Sequence, residues 1–461
     1  MTQTTLSLIR DLRRAKKQGP AGIADRQTAR LREMIAFARE HSPYYRELYQ
    51  DLPAELADPS LLPVTDKRQL MARFDDWVTD ADVTLEKVRG LIEDPERVGE
   101  HFLGKYTVGT TSGTTGARGI FVMDDRTMAV TNAVAFRLIT SWLGFGDALR
   151  IVARGRRMAI VMAAGGHFAS AVAAARMRRS RRGRKRVGTF PAQTPLPVLV
   201  EQLNRFRPAL MASYASMAAL LATEQEAGRL HVHPVLLALS AEGLRADEYA
   251  RIEKAFGAKV GNSYAATECT FLSYGCAEGW LHVNADWVVV EPVDATYQPV
   301  PAGQQSHTVL ISNLANQVQP ILRYDLGDSV LQRPDPCACG NPLPAIRVQG
   351  RAADVLTFDR LDGKRASIAP LIFVGVLERV AGIELSQTVQ TGPATLRVRL
   401  RLAASADPDA AWRSVADELA GMLAEHDLSH VTIERASEPP EQSSGGKFRQ
   451  VIPLPVKEQQ S

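Results

Sequence analysis

The sequence predicts an α/β protein with two domains, and three observations carry this prediction. From about residue 148 to 270, short apolar runs alternate with helical stretches, which is typical of α/β subdomains around a largely parallel sheet. From about 280 to 350 strand follows strand, which predicts a smaller β-rich unit. After Gly350 the pattern changes again, so we expect a large N-terminal domain over 1–350 and a small, mobile α+β C-terminal domain over 351–461.

The individual elements follow from the spacing of apolar residues. Helical spacing predicts a helix over 25–41, and Ser42-Pro43 ends it because the residue before a proline disfavours the helical conformation. Three apolar runs predict buried strands at 159–162, 209–211 and 235–239. The C-terminal patterns predict a helix over 368–380, an alternating strand over 396–402, a helix over 409–425 and a strand over 430–433.

Composition excludes several classes of protein. The chain has 461 residues, of which 45% are hydrophobic and 23% charged, and this excludes a mainly disordered chain, a collagen and a disulfide-stapled scaffold. A formal net charge of +4 gives no reason to expect a nucleic-acid partner. The N-terminus has charges where a secretory signal needs its apolar run, and the interrupted segment 158–175 fits a strand and a helix better than a membrane span. We therefore expect a cytoplasmic protein that does not contact a membrane.

Basic residues are concentrated between Arg176 and Arg186, a segment that contains no acidic residue. One interpretation is a solvated, mobile loop. The other is a docking patch for phosphate or for an acidic partner protein. The sequence leaves both interpretations open.

The segment Thr110–Gly119 (TTSGTTGARG) combines hydroxyl side chains with three glycines. It is not a Walker A loop, because no Gly-Lys-Ser/Thr follows at the right spacing. Glycines let backbone N–H groups approach an anion, while hydroxyls and a guanidinium add donors and charge. We therefore predict a phosphate-binding loop formed by Thr111, Ser112, Gly113, Thr114, Thr115, Gly116 and Arg118.

Three further segments follow this loop in order: Ser263–Glu268 (SYAATE), Arg323–Asp328 (RYDLGD), and Gly350-Arg351 with Gly445-Gly446-Lys447. Together with the loop they resemble the motifs of the adenylate-forming enzymes, which include acyl-CoA synthetases, peptide-synthetase adenylation domains and luciferases. The early segment 41–45 (HSPYY), the Arg-Tyr order at 323–324 and the segment 337–340 (CACG) resemble the phenylacetate–CoA ligase branch. The resemblance covers the whole chain.

The resemblance implies ATP-dependent activation of a carboxylic acid to an acyl-AMP with release of pyrophosphate. The loop would hold the β- and γ-phosphates, Thr267 would touch the α-phosphate, and Glu268 would ligate Mg²⁺. Asp328 would accept hydrogen bonds from the ribose hydroxyls, and Arg351 would support the ribose from the hinge. Lys447 would bridge the attacking carboxylate and the ester oxygen as a point charge.

The resemblance also implies positions for the rest of the nucleotide and for the acid. The adenine pocket would include Ala241, Glu242 and Gly243, and the aromatic motif adds Ser263 and Tyr264 to the nucleotide site. By its place in the family pattern, His167 would meet the substrate carboxylate, although a packed core histidine explains it equally well.

Two positions depart from the family pattern. Arg118 stands where many relatives have lysine, which keeps the charge but replaces a point charge with a planar fork. Ala353 stands where the hinge usually has Asp or Lys, and Asp354 is the candidate pivot one residue later. The second departure concerns domain rotation and thioester formation more than adenylation.

The acceptor of the acyl group stays open at this level. It is expected to be the thiol of CoA, or the phosphopantetheine of an acidic carrier protein that docks at 176–186. Adenylyl transfer without a thiol step, as in deazaflavin relatives, is a further alternative. A binding protein without catalysis is disfavoured by the retention of Glu268, Asp328 and Lys447. Ala265 and Ala266 leave space for a flat ring, so we expect a small aromatic acid; helix packing explains them equally well. A homodimer is suggested by analogy alone.

The four cysteines predict a structural zinc ion rather than a disulfide framework. Cys337 and Cys339 can offer two thiolates from one tight turn, and Cys276 and His282 lie at the start of the strand-rich region. Together they make a Cys₃His set, which is a known composition of structural zinc sites. Cys269 is left over. The alternative is four reduced cysteines without a ligand.

Overall fold

The computed structural model describes residues 4–56, 58–111, 119–162, 167–192, 194–240, 246–351, 356–363, 365–368, 370–377, 380–441 and 449–454. Its helices are α1 (Thr5–His41), α2 (Pro43–Leu48), α3 (Lys67–Ala72), α4 (Phe74–Trp77), α5 (Leu85–Ile92), α6 (Asp125–Trp142), α7 (Phe145–Ala153), α8 (Ala169–Arg178), α9 (Arg181–Arg186), α10 (Leu196–Phe206), α11 (Ala215–Glu226), α12 (Ala246–Phe256), α13 (Pro370–Leu377) and α14 (Pro408–Glu425).

Its first ten strands are β1 (Thr107–Thr110), β2 (Ile120–Met123), β3 (Met158–Met162), β4 (Val187–Pro191), β5 (Leu210–Tyr214), β6 (Leu236–Ser240), β7 (Lys259–Tyr264), β8 (Ser273–Gly275), β9 (Leu281–Val283) and β10 (Val288–Val293). The others are β11 (Thr308–Asn313), β12 (Ile321–Asp325), β13 (Asp328–Gln332), β14 (Ala345–Arg351), β15 (Leu356–Asp359), β16 (Arg365–Ile368), β17 (Ile383–Gly392), β18 (Thr395–Leu402), β19 (Thr432–Arg435) and β20 (Val451–Ile452).

The long N-terminal helix α1 is broken at Gly19, whose φ of 72° is left-handed. Its two halves fold against each other, because Asp11 pairs with Arg26 at 2.9 Å and with Arg30 at 2.6 Å. Ser42 ends α1, and its hydroxyl then caps α2 by accepting from the backbone N–H of Tyr45. The predicted helix over 25–41 therefore starts earlier than expected and ends where expected.

A nine-stranded sheet forms the centre of the larger part of the chain, in the order β13-β14-β9-β8-β7-β6-β5-β3-β4. The strands β4, β3, β5, β6 and β7 are parallel, and the others pair antiparallel. The three predicted apolar strands are β3, β5 and β6, and they pack in one core with α10, α11 and α12. The α/β prediction for this region is confirmed.

The strand-rich region divides between two sheets. Strands β10, β11 and β12 form a separate antiparallel sheet, whereas β9, β13 and β14 extend the nine-stranded sheet. At one end β14 pairs Ala345 with His282 of β9, and at the other end it pairs Arg351 with Asp328 of β13. The strands expected over 280–350 are present, but they do not form one sheet, because pairing partners are chosen by contacts distant in sequence.

The residues after 355 form a core of their own around α13, α14 and a four-stranded sheet in the order β19-β18-β17-β20. The predicted strand over 396–402 and helix over 409–425 correspond to β18 and α14. The helix predicted from 368 is shorter, since α13 begins at Pro370 and Ile368 ends β16. Proline favours the first turn of a helix, which explains the later start.

Most of the basic segment 176–186 is helical, so its interpretation as a loop is wrong. It contains the end of α8 and all of α9, which Ser180 caps by accepting from the N–H of Gly183 at 2.9 Å. Two arginines are tied to the protein body, because Arg176 donates to the hydroxyl of Thr107 and Arg179 to the carbonyl of Gly99. The basic side chains of α9 are exposed.

None of the described helices is by itself long and apolar enough to cross a membrane. Helices α6 and α7 meet that requirement only as a pair, and the pair is bent by 104°. The apolar segment 158–175, expected to be a strand and a helix, contains β3 and most of α8.

Candidate active site

The base of the predicted phosphate loop is a hairpin. Strands β1 and β2 pair antiparallel, and Thr111 and Gly119 continue the pairing beyond them. The N–H of Thr111 donates to the carbonyl of Gly119 at 3.0 Å, and the N–H of Gly119 donates to the hydroxyl of Thr111 at 2.8 Å. The two ends of the loop are thus fixed to each other, while Ser112, Gly113, Thr114, Thr115, Gly116 and Arg118 lie outside the described residues.

Thr267 and Glu268 occupy the centre of a tight turn. The backbones of Ala266 and Cys269 exchange two hydrogen bonds of 3.1 Å across it. Thr267 packs against β1, since a Cβ built on Gly109 would lie 3.2 Å from Thr267 Cγ2. The turn therefore presents Thr267 and Glu268 beside the strand that leads into the loop.

Glu268 is a buried carboxylate that accepts a hydrogen bond from a tyrosine hydroxyl. Burial raises the pKa of Glu268, and the nearby Asp328 raises it further, while the hydroxyl of Tyr324 and the cation of Lys67 act in the opposite direction. Tyr324 donates to Glu268 Oε1 at 2.9 Å. A buried carboxylate of this kind fits a hard divalent cation, whose charge would offset the cost of burial.

The segment Arg323–Asp328 brings a second carboxylate to the same place. Asp325 holds the turn before β13 by accepting from the N–H of Gly327 at 2.9 Å and from the hydroxyl of Thr308. Asp328 follows at the start of β13, where the hydroxyl of Tyr264 donates to its Oδ2 at 2.6 Å. The aromatic motif and the Arg-Tyr motif are therefore joined by a direct side-chain contact.

Lys67 belongs to this site although the sequence did not single it out. Thr65 places it, because its backbone pairs with Arg323 and Asp325 at 3.0 and 2.8 Å. Lys67 is then the first residue of α3, and its Cδ would lie 3.2 Å from a Cβ built on Gly119. Its charge also acts on Glu268. A cation is therefore present at the base of the predicted phosphate loop.

These groups line one crevice of about 3270 Å³. Of the predicted site residues, it is lined by Thr111, Ser263, Tyr264, Thr267, Glu268 and Asp328. Residues of the C-terminal part, among them Glu384, Arg401 and Arg449, also line it, so the crevice lies between the two parts of the chain. His167 is buried beside the crevice-lining Phe168, and its carbonyl accepts from the N–H of Thr110 at 2.7 Å; its role at the substrate carboxylate stays a prediction.

The predicted lysine segment is held at its described flanks by Gln387 of β17. The amide Nε2 of Gln387 donates to the carbonyl of Glu441 at 3.0 Å and to the carbonyl of Arg449 at 2.8 Å. Its Oε1 accepts from the N–H of Glu441 at 3.2 Å and from Arg399 at 2.9 Å. The buried side-chain amide of Gln387 therefore bonds the residues on both sides of the segment 442–448. Lys447 lies outside the described residues, as do Ala241, Glu242, Gly243, Ala353 and Asp354, whereas Arg351 is the last residue of β14.

The four predicted zinc ligands come together at the other end of β14. The ligand atoms of Cys276, His282, Cys337 and Cys339 all lie within 4.8 Å of one another. Cys269 is buried apart from them, beside Glu268, and burial raises the pKa of its thiol.

Comparison with solved structures identifies the fold. A crystal structure of 2-hydroxyisobutyryl-CoA ligase in the postadenylation state, in complex with 2-HIB-AMP, is 21% identical, covers 94% of this chain and 89% of that chain, and has a TM-score of 0.66. The same ligase with 2-HIB-AMP and CoA in the thioesterification state has the same identity and coverage and a TM-score of 0.54. A crystal structure of an anthranilate CoA ligase with anthranoyl-AMP is 15% identical, covers 74% of this chain and 64% of that chain, and has a TM-score of 0.50.

This chain therefore has the two-domain α/β fold of the adenylate-forming enzymes, as the motifs implied. The two enzymes in this comparison are both CoA ligases. No protein-family model matches the chain. No curated protein matches it either.

Proposed function

We propose that this protein is an AMP-forming acid–thiol ligase of the phenylacetate–CoA ligase type. It activates a small aromatic carboxylic acid with ATP and Mg²⁺, releases pyrophosphate and transfers the acyl group to the thiol of CoA. One observation carries the proposal: the base of the glycine-rich loop, the Thr267-Glu268 turn and Asp328 line the same crevice. The fold of the acyl-CoA ligases supports it.

Adenylation brings several negative charges together, so the site must supply cations and preorganised donors. In this proposal the loop 111–118 binds the β- and γ-phosphates, and Lys67 adds a positive charge at its base. Thr267 contacts the α-phosphate, and Glu268 would hold Mg²⁺, which would supply positive charge near the phosphates. The turn at 266–269 supports this assignment, because Thr267 packs against the strand below the loop and the neighbouring Glu268 carboxylate contacts Tyr324.

The remaining roles fall to residues on both sides of the crevice. Asp328, oriented by Tyr264, accepts hydrogen bonds from the ribose hydroxyls. Lys447 bridges the substrate carboxylate and the ester oxygen during adenylation. The adenine pocket at 241–243 and the contact of His167 with the substrate carboxylate belong to the same proposal. We place the protein in the cytoplasm, where ATP and CoA are available, and expect a homodimer.

A carrier protein is a second candidate for the thiol partner, because one observation favours it. The side chains of Arg181, Arg182, Arg184, Lys185 and Arg186 are exposed together on α9. A compact basic surface attracts an acidic protein by raising the rate of encounter. The 3′-phosphate and pyrophosphate of CoA would use the same charges, so the acceptor must be found by experiment.

Pyrophosphate exchange tests the first step. Purified protein with ATP, labelled pyrophosphate and a panel of aryl and alkyl carboxylic acids should exchange label only with some of the acids, and fastest with small aromatic ones. Exchange with none of the acids would contradict the ligase proposal. Fastest exchange with alkyl acids would contradict the aromatic substrate alone.

The metal assignment has its own test. Glu268→Gln should weaken both the Mg²⁺ requirement and the exchange rate, whereas the exposed Glu425→Gln on α14 should change neither. Normal exchange of Glu268→Gln at low Mg²⁺ would show that Glu268 does not hold the metal.

Release of AMP tests the second step. With the preferred acid, AMP release should depend on added CoA. Release that depends only on a phosphopantetheine carrier protein would select the second candidate. If AMP stays in a stable conjugate with the substrate when either CoA or a carrier protein is added, the enzyme transfers the adenylyl group without a thiol step.

A further inference from the structure

Four potential metal ligands from three separate segments meet at the edge of the crevice. Cys276 follows β8, His282 lies in β9, and Cys337 and Cys339 lie in the connection between β13 and β14. Cys337 and His282 are buried, and only Cys339 is exposed. All four ligand atoms lie within 4.8 Å of one another, although the two cysteine segments are about 60 residues apart.

The distances are those of ligands around a tetrahedral centre. Thiolates bound to zinc at about 2.3 Å are about 3.8 Å apart in a tetrahedron. Cys276 Sγ and Cys337 Sγ are separated by 3.8 Å, and His282 Nε2 lies 3.1 Å from Cys339 Sγ. A disulfide would need the two sulfurs about 2.05 Å apart, so the geometry favours a shared cation over a covalent bond.

The histidine ring is oriented as a metal ligand requires. Its Nδ1 lies 2.9 Å from the carbonyl oxygen of Leu343, so Nδ1 carries the proton and donates it. That hydrogen bond leaves the lone pair of Nε2 directed at the cysteines, which is the usual arrangement of metal-bound histidine.

Positive charges surround the cluster. Three thiolates and one divalent cation leave a net charge of −1, which needs compensation. Arg333 and Arg347 lie over the ring of Trp280, at 5.0 and 4.2 Å from its centroid, and Trp280 packs on Cys337. The charges of Arg333 and Lys16 also act on His282. The surroundings therefore favour an anionic metal–thiolate centre.

We propose that Cys276, His282, Cys337 and Cys339 bind one Zn²⁺ ion in a closed, structural site. Four protein ligands leave no position for a substrate, so the ion does no chemistry. It joins the β8–β9 hairpin to the β13–β14 connection, next to the pairing of Ala345 with His282. The site does not depend on the proposed ligase activity.

Metal analysis of the purified protein tests the proposal. Protein purified without chelator should contain about one equivalent of zinc, and Cys339→Ser and His282→Gln should each lower it below about a tenth of an equivalent. Cys269→Ala, which removes a buried thiol outside the cluster, should keep the full zinc content. The two ligand variants should melt at least about 5 °C lower than Cys269→Ala.

Cobalt substitution of the wild-type protein keeps the test valid if the ligand variants fail to fold. Exchange of the metal for Co²⁺ should give the charge-transfer and ligand-field absorption bands of tetrahedral thiolate coordination. Zinc below about a tenth of an equivalent together with absent cobalt bands would overturn the proposal. Equal zinc content in wild type and ligand variants, or a Cys276–Cys337 disulfide found by mass spectrometry, would overturn it too.

Discussion

The hydroxyl of Tyr264 donates a hydrogen bond to Oδ2 of Asp328 at 2.6 Å, and this contact joins the end of β7 to the start of β13. Hydrogen bonds to an ionised acceptor are stronger and more directional than neutral ones. The contact fixes the carboxylate that we assign to the ribose.

Replacing this tyrosine should weaken nucleotide binding. Tyr264→Phe removes the donor, so Asp328 loses its orientation and the Kd for ATP should rise about fivefold, as the loss of one such bond predicts. Isothermal titration calorimetry with ATP measures this Kd. Tyr106→Phe is the matched control, since Tyr106 donates to Asp80 at the same 2.6 Å outside the crevice. Equal Kd values for the two variants would remove Asp328 from the ribose site.

Loss of the C-terminal lysine should affect chemistry rather than binding. Lys447→Ala should slow pyrophosphate exchange about 100-fold or more, because a charge opposite the reacting oxygens is lost, and it should leave the Kd for ATP unchanged. The exposed Lys254→Ala on α12 serves as the control. An exchange rate like that of the control would exclude Lys447 from adenylation.

Gln387 should affect adenylation, because it bonds both ends of the segment that contains Lys447. Gln387→Leu leaves the carbonyls of Glu441 and Arg449 without their donor, so adenylation should fall about tenfold in kcat while KM for ATP stays constant. Gln390→Leu on the same strand is the control, because Gln390 bonds Thr357 and Leu454 instead. Gln387→Glu should restore little, since it cannot donate to the carbonyls. Parallel losses in both leucine variants would indicate a merely structural role.

The basic helix should affect thiol transfer alone. Replacing the five basic residues of α9 with glutamine keeps helix propensity but removes the charge. Pyrophosphate exchange should stay unchanged, and transfer to the thiol partner should slow several-fold and lose its salt dependence. Replacing the exposed Arg10, Arg14 and Lys17 of α1 provides the comparison. Identical transfer kinetics in both variants would show that α9 is a solvated surface without a role in thiol transfer.

A buried ion pair at helix α6 should contribute to the stability of the folded protein. Arg137 binds both carboxylate oxygens of Asp286, at 3.0 and 2.5 Å, and Asp286 is fully buried. Asp286→Asn leaves the guanidinium uncompensated and should lower the free energy of unfolding by about 3 kcal/mol. Calorimetry measures the shift, and the exposed Glu201→Gln, which breaks the surface pair with Arg205, should leave the melting temperature unchanged. Equal melting temperatures would contradict the role of the pair.

Local patterns predicted much of this molecule. The strands β3, β5 and β6, the stop at Ser42-Pro43 and the helix α14 depend on apolar spacing and on single residues with strong backbone preferences, which the sequence displays directly. The juxtaposition of Cys276, His282, Cys337 and Cys339 also followed, because chemistry restricts what such a set can do.

Backbone pairings between distant segments could not be predicted. Lys67 reaches the site only because Thr65 forms backbone hydrogen bonds with residues more than 250 positions later. The polar start of α3, Thr65-Asp66-Lys67, was the available signal, and it is indistinguishable from an ordinary helix cap. The bonds of Gln387 to two chain segments and the entry of β13 and β14 into the central sheet are equally nonlocal.

The strand β14 connects the proposed hinge with the proposed nucleotide site. Its last residue, Arg351, pairs with Asp328, and the next described strand, β15, belongs to the C-terminal part. A rotation at the proposed hinge therefore acts on the hydrogen bonds between β13 and β14, and β13 begins with the proposed ribose ligand, Asp328. Rotation of the small domain would therefore disturb the contact between Asp328 and the nucleotide. A bound nucleotide would in turn restrict the rotation of that domain.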